Sequence, residues 1–240
     1  MWVLIADLTR GTDGGDMTAI FVTSTGTDIG KTFVTAGLIA HLRESGCAAE
    51  AIKPVVTGFT PETAATSDAA VLLAALGRSV AEAEIVKISP WRFEAPLSPD
   101  LAARREGRTL DFPALLEFSR LASVSSTGTL FIEGVGGIMA PLDDRRTVLD
   151  WMVALRLPLL VVAGSYLGTI SHTLSAVEVL IRRELTIAAI VVNESPHSTV
   201  PLNDTVGSIA QFVRPIPVLG LPRIPPGSGH PVFGRLAALL

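Results

Sequence analysis

Chemistry concentrates first in the run Val22-Thr23-Ser24-Thr25-Gly26-Thr27-Asp28-Ile29-Gly30-Lys31-Thr32, which follows an apolar stretch and precedes a helical pattern. Successive backbone N–H groups leading into a helix N-terminus form a pocket for phosphate oxygens. Lys31 adds a fixed positive charge, and the Thr32 hydroxyl is a ligand type for Mg²⁺. The spacing departs from the usual G-x-x-x-x-G-K-[ST], whose first glycine would fall at Thr25; Gly26 comes one residue late. Other polar groups stand where apolar runs end. Lys53 opens Lys53-Pro54-Val55-Val56-Thr57-Gly58, and Ser67-Asp68 precedes a helical pattern, where Ser67 is a cap and Asp68 can hold Mg²⁺ or a water bound to it. In Ile132-Glu133-Gly134-Val135-Gly136-Gly137 a carboxylate ends an apolar run, where phosphoryl-transfer enzymes keep a second magnesium ligand. The glycines after it let backbone approach a charged ligand. Asn193 ends a later apolar run, where it can offer an amide to a purine edge or simply form a turn.

These groups need a frame that brings strand ends together. From Met17 onward, strand-like and helix-like segments alternate. Strands are expected at 20–23, a short one ending at 53–56, then 130–133, 159–163 and 187–193. Helices are expected at 31–45, from Asp68 onward, 112–121, 147–155, 169–183 and 202–212. In the first helix Phe33, Leu38, Ile39 and Leu42 recur at helical spacing and Gly46 is a stop. The runs LPLLVVA and IAAIVV lack period-two alternation, as parallel strands covered on both faces do. This predicts an α/β fold with a doubly wound, mostly parallel sheet in three layers, and ligands at the carboxyl ends of its strands. A Pro- and Gly-rich stretch, 215–231, is expected to wind over the surface. Residues 17–240 read as one domain. Residues 1–16, polar and turn-rich over Thr9–Asp16, read as a dispensable extension that is not an export signal, with Met17 as the natural start.

Composition narrows the partners. The chain has 240 residues, 48% apolar and 18% charged, with a formal net charge of −4, so it lacks the clustered cations that grip nucleic acid. Mean hydropathy is high at +0.48. Yet the long apolar tract 174–192 is broken by Glu178, Arg182, Arg183 and Glu184, and no membrane span is expected. One cysteine, Cys47, excludes an internal disulfide, and His41, His172, His197 and His230 lack metal-ligand spacing, so a cytoplasmic location is expected.

Taken together, the loop ending in Gly30-Lys31-Thr32, the Lys53-Pro54-Val55 strand end, Ser67-Asp68, Glu133-Gly134-x-Gly136-Gly137, Leu167-Gly168-x-x-x-His172 and Asn193 resemble the dethiobiotin synthetase family over residues 17–240. The resemblance implies a P-loop NTPase fold and an ATP- and Mg²⁺-dependent ring closure in biotin synthesis. Carbon dioxide adds to an amine of 7,8-diaminopelargonic acid, and the carbamate takes the γ-phosphoryl group to give a carbamic-phosphoric anhydride. The neighbouring amine then displaces phosphate.

Carried onto this chain, the resemblance has Asp28, Ile29, Gly30, Lys31, Thr32 and Phe33 cradle the ATP phosphates, with Gly134, Val135 and Gly136 also at the nucleotide. Thr32, Asp68 and Glu133 would hold magnesium. Lys31 and Lys53 would be the catalytic cations, and Thr27 and Thr57 would touch the diamine. Asn193, Pro222, Arg223 and Ile224 would bracket adenine. Leu167, Gly168 and Thr169 would receive the substrate carboxylate at a helix N-terminus, from the other subunit of a homodimer. Three positions depart from the family's habit: Ser24 stands for glycine, Ser171 for asparagine and Asp100 for histidine. Ser24 fits only with a negative φ.

Three rivals remain at this point, one of them a pure nucleotide-binding module. A partition-type ATPase switch carries a lysine four residues before the final loop glycine, where this chain has Gly26. A cobyrinate-type amidotransferase half needs a glutaminase domain with a nucleophilic cysteine, which a 240-residue chain with Cys47 alone does not supply.

Overall fold

The computed structural model describes residues 18–196 and 198–240, so residues 1–16, Met17 and His197 lie outside the described residues. Six strands form one sheet: β1 (Ala19–Ser24), β2 (Ala49–Ile52), β5 (Thr129–Glu133), β6 (Leu159–Gly164), β7 (Ile187–Asn193) and β8 (Val218–Leu221). They lie in the order β2-β5-β1-β6-β7-β8, and every pairing is parallel. The chain runs outward from β1 through α1 (Lys31–Glu44) to β2, then crosses back to build the other half. β1 is therefore central, and the loop after it opens where ligands bind in such sheets.

Both faces are covered. Phe21 meets Trp151 of α6 (Val148–Leu155) edge-on, with ring centroids 4.8 Å apart. Its neighbours Ile20 and Val22, on the opposite face by strand alternation, are equally inaccessible. β6 is buried at all six positions, which is why its sequence shows no alternation. α1, α2 (Asp68–Ala75) and α9 (Pro231–Ala237) pack side by side. The remaining long helices, α5 (Phe112–Ser125), α7 (Thr169–Arg182) and α8 (Leu202–Phe212), pack beside their strands β5, β6 and β8.

Two sequence expectations need correction. The strand expected to end at 53–56 is split: β2 stops at Ile52, and Val55–Thr57 is β3, paired with β4 (Trp91–Phe93) in a separate two-stranded sheet. Pro54 has no N–H to continue a ladder, and its carbonyl instead accepts from Trp91 N at 3.1 Å. Stretch 215–231 is not wholly a surface strap, since it contains β8, the sheet's edge strand, with Leu219 and Leu221 in the core. Three short helices, α3 (Glu82–Ile88), α4 (Pro99–Arg105) and α9, were not anticipated either.

Candidate active site

The phosphate loop joins Ser24 to Gly30. Asp28 has φ of 57° and Gly30 a φ of 98°, so two left-handed residues fold the loop back onto the start of α1. Gly30 cannot be replaced: its φ suits glycine, and a Cβ there would sit 2.3 Å from Asn193 Nδ2. Asn193 Nδ2 donates to the Ile29 carbonyl at 2.9 Å, so the end of β7 holds the loop in place. Ser24 belongs to β1 and is not among the positive-φ residues, which meets the condition for a serine there.

The two lysines converge from different elements. Lys31, on the first turn of α1, is 7% exposed. Its Nζ donates to Ser24 Oγ and to the Gly136 carbonyl, each at 2.9 Å. Burial, reinforced by the charge of Lys53, pushes Lys31 down to about 8. Lys53 follows β2 and is 2% exposed. Its Nζ lies 2.7 Å from Glu133 Oε1, 2.8 Å from the Gly134 carbonyl and 3.0 Å from Asp68 Oδ2. Burial opposes its charge, but Glu133 and Asp68 outweigh burial and hold Lys53 above the usual lysine range. Burial likewise opposes ionisation of Asp68, and the Lys53 ammonium overcomes it to hold that carboxyl below its usual range.

Glu133 is wholly buried at the end of β5, where its Oε1 also accepts from Thr32 Oγ1 at 2.7 Å. Its Oε2 is buried with no hydrogen-bond partner. A buried carboxylate oxygen without a donor suits a cation. Thr32, Asp68 and Glu133 supply only oxygens, the donor set of Mg²⁺, which commonly takes one or two carboxylates and completes its shell with phosphate and water. Among the described residues no cluster of three His, Cys, Asp or Glu side chains could form a dedicated metal cage.

Both lysines, Thr32 and Asp68 line one cavity of about 330 Å³, bounded also by Thr27, Asp28, Gly30, Val56, Thr57, Val135 and Gly136. Sequence reasoning saw Gly134–Gly137 as a place for backbone to approach ligand. The structure adds that the carbonyls of Gly134 and Gly136 each hold one lysine ammonium. It also gives Ser24, singled out only as a departure, a partner in Lys31. Side-chain identity carries no trace of a carbonyl's direction, and only strand alternation around Ser24 could have pointed to it.

Other expected residues lie elsewhere. Phe33 faces a separate groove of about 720 Å³ along α1, shared with Gly37, His41 and Phe233. Pro222, Arg223 and Ile224 follow β8, where Arg223 N donates to Glu194 Oε2 at 2.9 Å. Leu167, Gly168 and Thr169 do not line the cavity with the lysines. Thr169 does start α7, with left-handed Gly168 as its cap, and Leu167 is 83% exposed. Asp100 accepts from Ser98 Oγ at 2.5 Å at the start of α4.

A family model described as an AAA domain matches residues 18–229. An ATP-dependent dethiobiotin synthetase of Caulobacter vibrioides is 47% identical over 225 residues, 93% of this chain and 99% of its own length. Those of Acidiphilium cryptum and Methylobacterium nodulans are 46% and 45% identical, covering 84% and 91% of this chain and 91% and 97% of theirs. Among solved structures, the cell-division ATPase MinD of Pyrococcus furiosus gives a TM-score of 0.51 at 16% identity, over 93% of this chain and 98% of that one. The MinC:MinD complex of Aquifex aeolicus gives 0.51 at 12%, over 92% and 86%. The structural likenesses show the shared P-loop fold alone, while the sequence relatives go further: the chain belongs to the family of ATP-dependent dethiobiotin synthetases.

Proposed function

We propose that this enzyme carboxylates and cyclises 7,8-diaminopelargonic acid with CO₂ and ATP to give dethiobiotin, with Mg²⁺ held by Thr32, Asp68 and Glu133. The observation that carries the reading is the meeting of Lys31, Lys53, Thr32 and Asp68 in one cavity, with the buried Glu133 carboxylate in contact with Thr32 and Lys53. When bound, the metal supplies charge neutralisation across the phosphates.

The chain's own groups divide the work. Loop N–H groups and Lys31 bind the polyphosphate, and Lys53 faces the carbamate and the phosphoryl group it accepts, where negative charge accumulates. The carbamate oxygen attacks the γ-phosphorus, ADP leaves, and the second amine then attacks the carbonyl carbon to expel phosphate and close the ureido ring. Thr27 and Thr57, at the cavity wall, orient the diamine. Asn193, Pro222, Arg223 and Ile224 receive the adenine. The carboxylate is remote from the reacting amines, and the start of α7 takes it across a homodimer, with Leu167, Gly168 and Thr169 supplied by the partner protomer. An exposed, unpaired Cys47 suits a cytoplasmic setting.

Incubation with the diamine, ¹³C-bicarbonate, ATP and Mg²⁺, followed by mass spectrometry, tests the assignment. The product is expected to be dethiobiotin carrying a single ¹³C, with ADP formed only when the diamine is present. ATP hydrolysis indifferent to the diamine would overturn it.

A further inference from the structure

The turn that carries Leu167, Gly168 and Thr169 is held by a device none of the motifs above describes. β6 and β7 pair in parallel as far as Gly164 opposite Asn193. Beyond that pair Glu194 N still reaches the Leu221 carbonyl, but the N–H groups of Ser165 and Ser195 need another acceptor. Ser165 and Ser195 satisfy each other: Ser165 N donates to Ser195 Oγ at 3.0 Å, and Ser195 N donates to Ser165 Oγ at 2.9 Å. Ser165 is wholly buried. The Ser165 carbonyl accepts from Ser198 Oγ. Gly164 leaves the room this needs, since a Cβ there would lie 2.8 Å from Ser195 Oγ.

The far side of the turn is fixed as well. Thr169 Oγ1 donates to the Gly164 carbonyl at 2.8 Å, and Thr169 N donates to the Tyr166 carbonyl at 3.0 Å. The turn therefore leaves and rejoins the fold at anchored points, while its tip, Leu167, stands in solvent. The same end of β7 that clamps this turn through Ser195 also clamps the phosphate loop through Asn193.

We infer that Ser165 and Ser195 are positioning residues that fix the Leu167–Gly168–Thr169 turn in the shape that receives the substrate carboxylate. The inference rests on the reading of that turn as the carboxylate anchor, and it holds whether the turn serves its own protomer or the partner. Neither serine touches the reacting groups. Removing either hydroxyl strands a backbone donor at the base of the turn, and the donor can be satisfied only if the turn moves.

The experiment measures kcat and both KM values for full-length Ser195→Ala, Ser165→Ala and the milder Ser198→Ala. The KM for the diamine is expected to rise about three- to tenfold in the first two, the size of one lost hydrogen bond, and less in the third. The KM for ATP and kcat should stay within about twofold. Because each hydroxyl accepts from the other residue's N–H, the two bonds are separate, and the Ser165→Ala/Ser195→Ala double variant should raise the diamine KM at least as far as the worse single. A merely structural role would lower kcat through the loss of active protein and leave both KM values alone, which overturns the inference. A variant with Gly168→Asp and Thr169→Asp separates the two layers. If it raises the diamine KM while all three serine variants do not, the positioning role fails and the anchor stands. If it does not raise that KM, the anchor reading falls and takes the inference with it.

Discussion

Lys53 Nζ lies 2.7 Å from Oε1 of Glu133, a carboxylate with no solvent exposure, whereas Lys31, a neighbour in the same cavity, is held by a serine hydroxyl and a carbonyl. The two lysines are therefore unequal to the fold although both line the same cavity. As catalytic cations both lysines bear on rate; the buried contact with Glu133 gives Lys53 a part in the fold as well.

Lys31→Ala and Lys53→Ala should each lower kcat on the order of 10²–10³, the usual cost of losing one stabilising donor. Lys53→Ala should also destabilise the protein by about 3–5 kcal/mol, because the buried Glu133 carboxylate loses its contacting cation and keeps Thr32 as its hydrogen-bond donor. Lys31→Ala strands no carboxylate and should melt near the parent. Lys53→Arg should fail too, since a planar guanidinium does not replace a compact ammonium ringed by three acceptors. Steady-state kinetics beside urea unfolding separate these effects. Equal melting of both alanine variants would show that the Lys53–Glu133 contact contributes nothing to folding.

Glu133→Gln should raise the magnesium concentration for half-maximal activity by about tenfold, since an amide is a poor ligand for a hard cation. The buried Oε2, without a partner of its own, is the atom that this substitution compromises. A magnesium titration superimposable on the parent's would remove Glu133 from the metal site.

The frame was largely legible in sequence because its strongest signals are local. GKT opens α1 at Lys31, Ser67 Oγ accepts from Ala70 N at 3.3 Å as a cap, and the apolar runs became β5, β6 and β7. What escaped was short or nonlocal. β3 and β4 have three residues each and exist only by pairing with one another, and β8 hides between prolines and glycines. The convergence of Lys53, Asp68 and Glu133 on one point is set by strand order, which no residue spacing encodes. The Ser165–Ser195 exchange likewise joins loops thirty positions apart.

Nucleotide affinity should fall as pH rises above about 8. Lys31 titrates near 8 in the ligand-free fold, against an ordinary value of 10.5. A phosphate beside it favours the ammonium, so above its pKa binding must first take up a proton. The sign for folding is opposite: between about 8 and 10.5 the unfolded chain holds more protons at this group, so its contribution to stability rises with pH across that window. Calorimetry of ADP binding at pH 8.5 in buffers of different ionisation enthalpy should reveal proton uptake, and Lys31→Arg should abolish it. An affinity flat from pH 7 to 9.5 would show that no phosphate meets Lys31.

Sharing of the active site across two protomers is tested by mixing. None of Leu167, Gly168 and Thr169 lines the cavity that holds the lysines, and the shared site we propose takes this anchor from a second chain. One parent should carry Lys31→Ala, which spares the buried ion pair, and the other Gly168→Asp with Thr169→Asp, which sets negative charge against the substrate carboxylate. Each parent should be far below the unaltered enzyme when assayed alone at a diamine concentration under its raised KM. In the mixed dimer one site combines an intact Lys31 from one chain with an intact anchor from the other, while the second site carries both defects. Random exchange at equal amounts makes half the dimers mixed, so activity should recover to about a quarter of the parent's. If each site were built within one chain, every site in the mixture would carry one defect, and the mixture would stay silent even after subunit exchange is demonstrated.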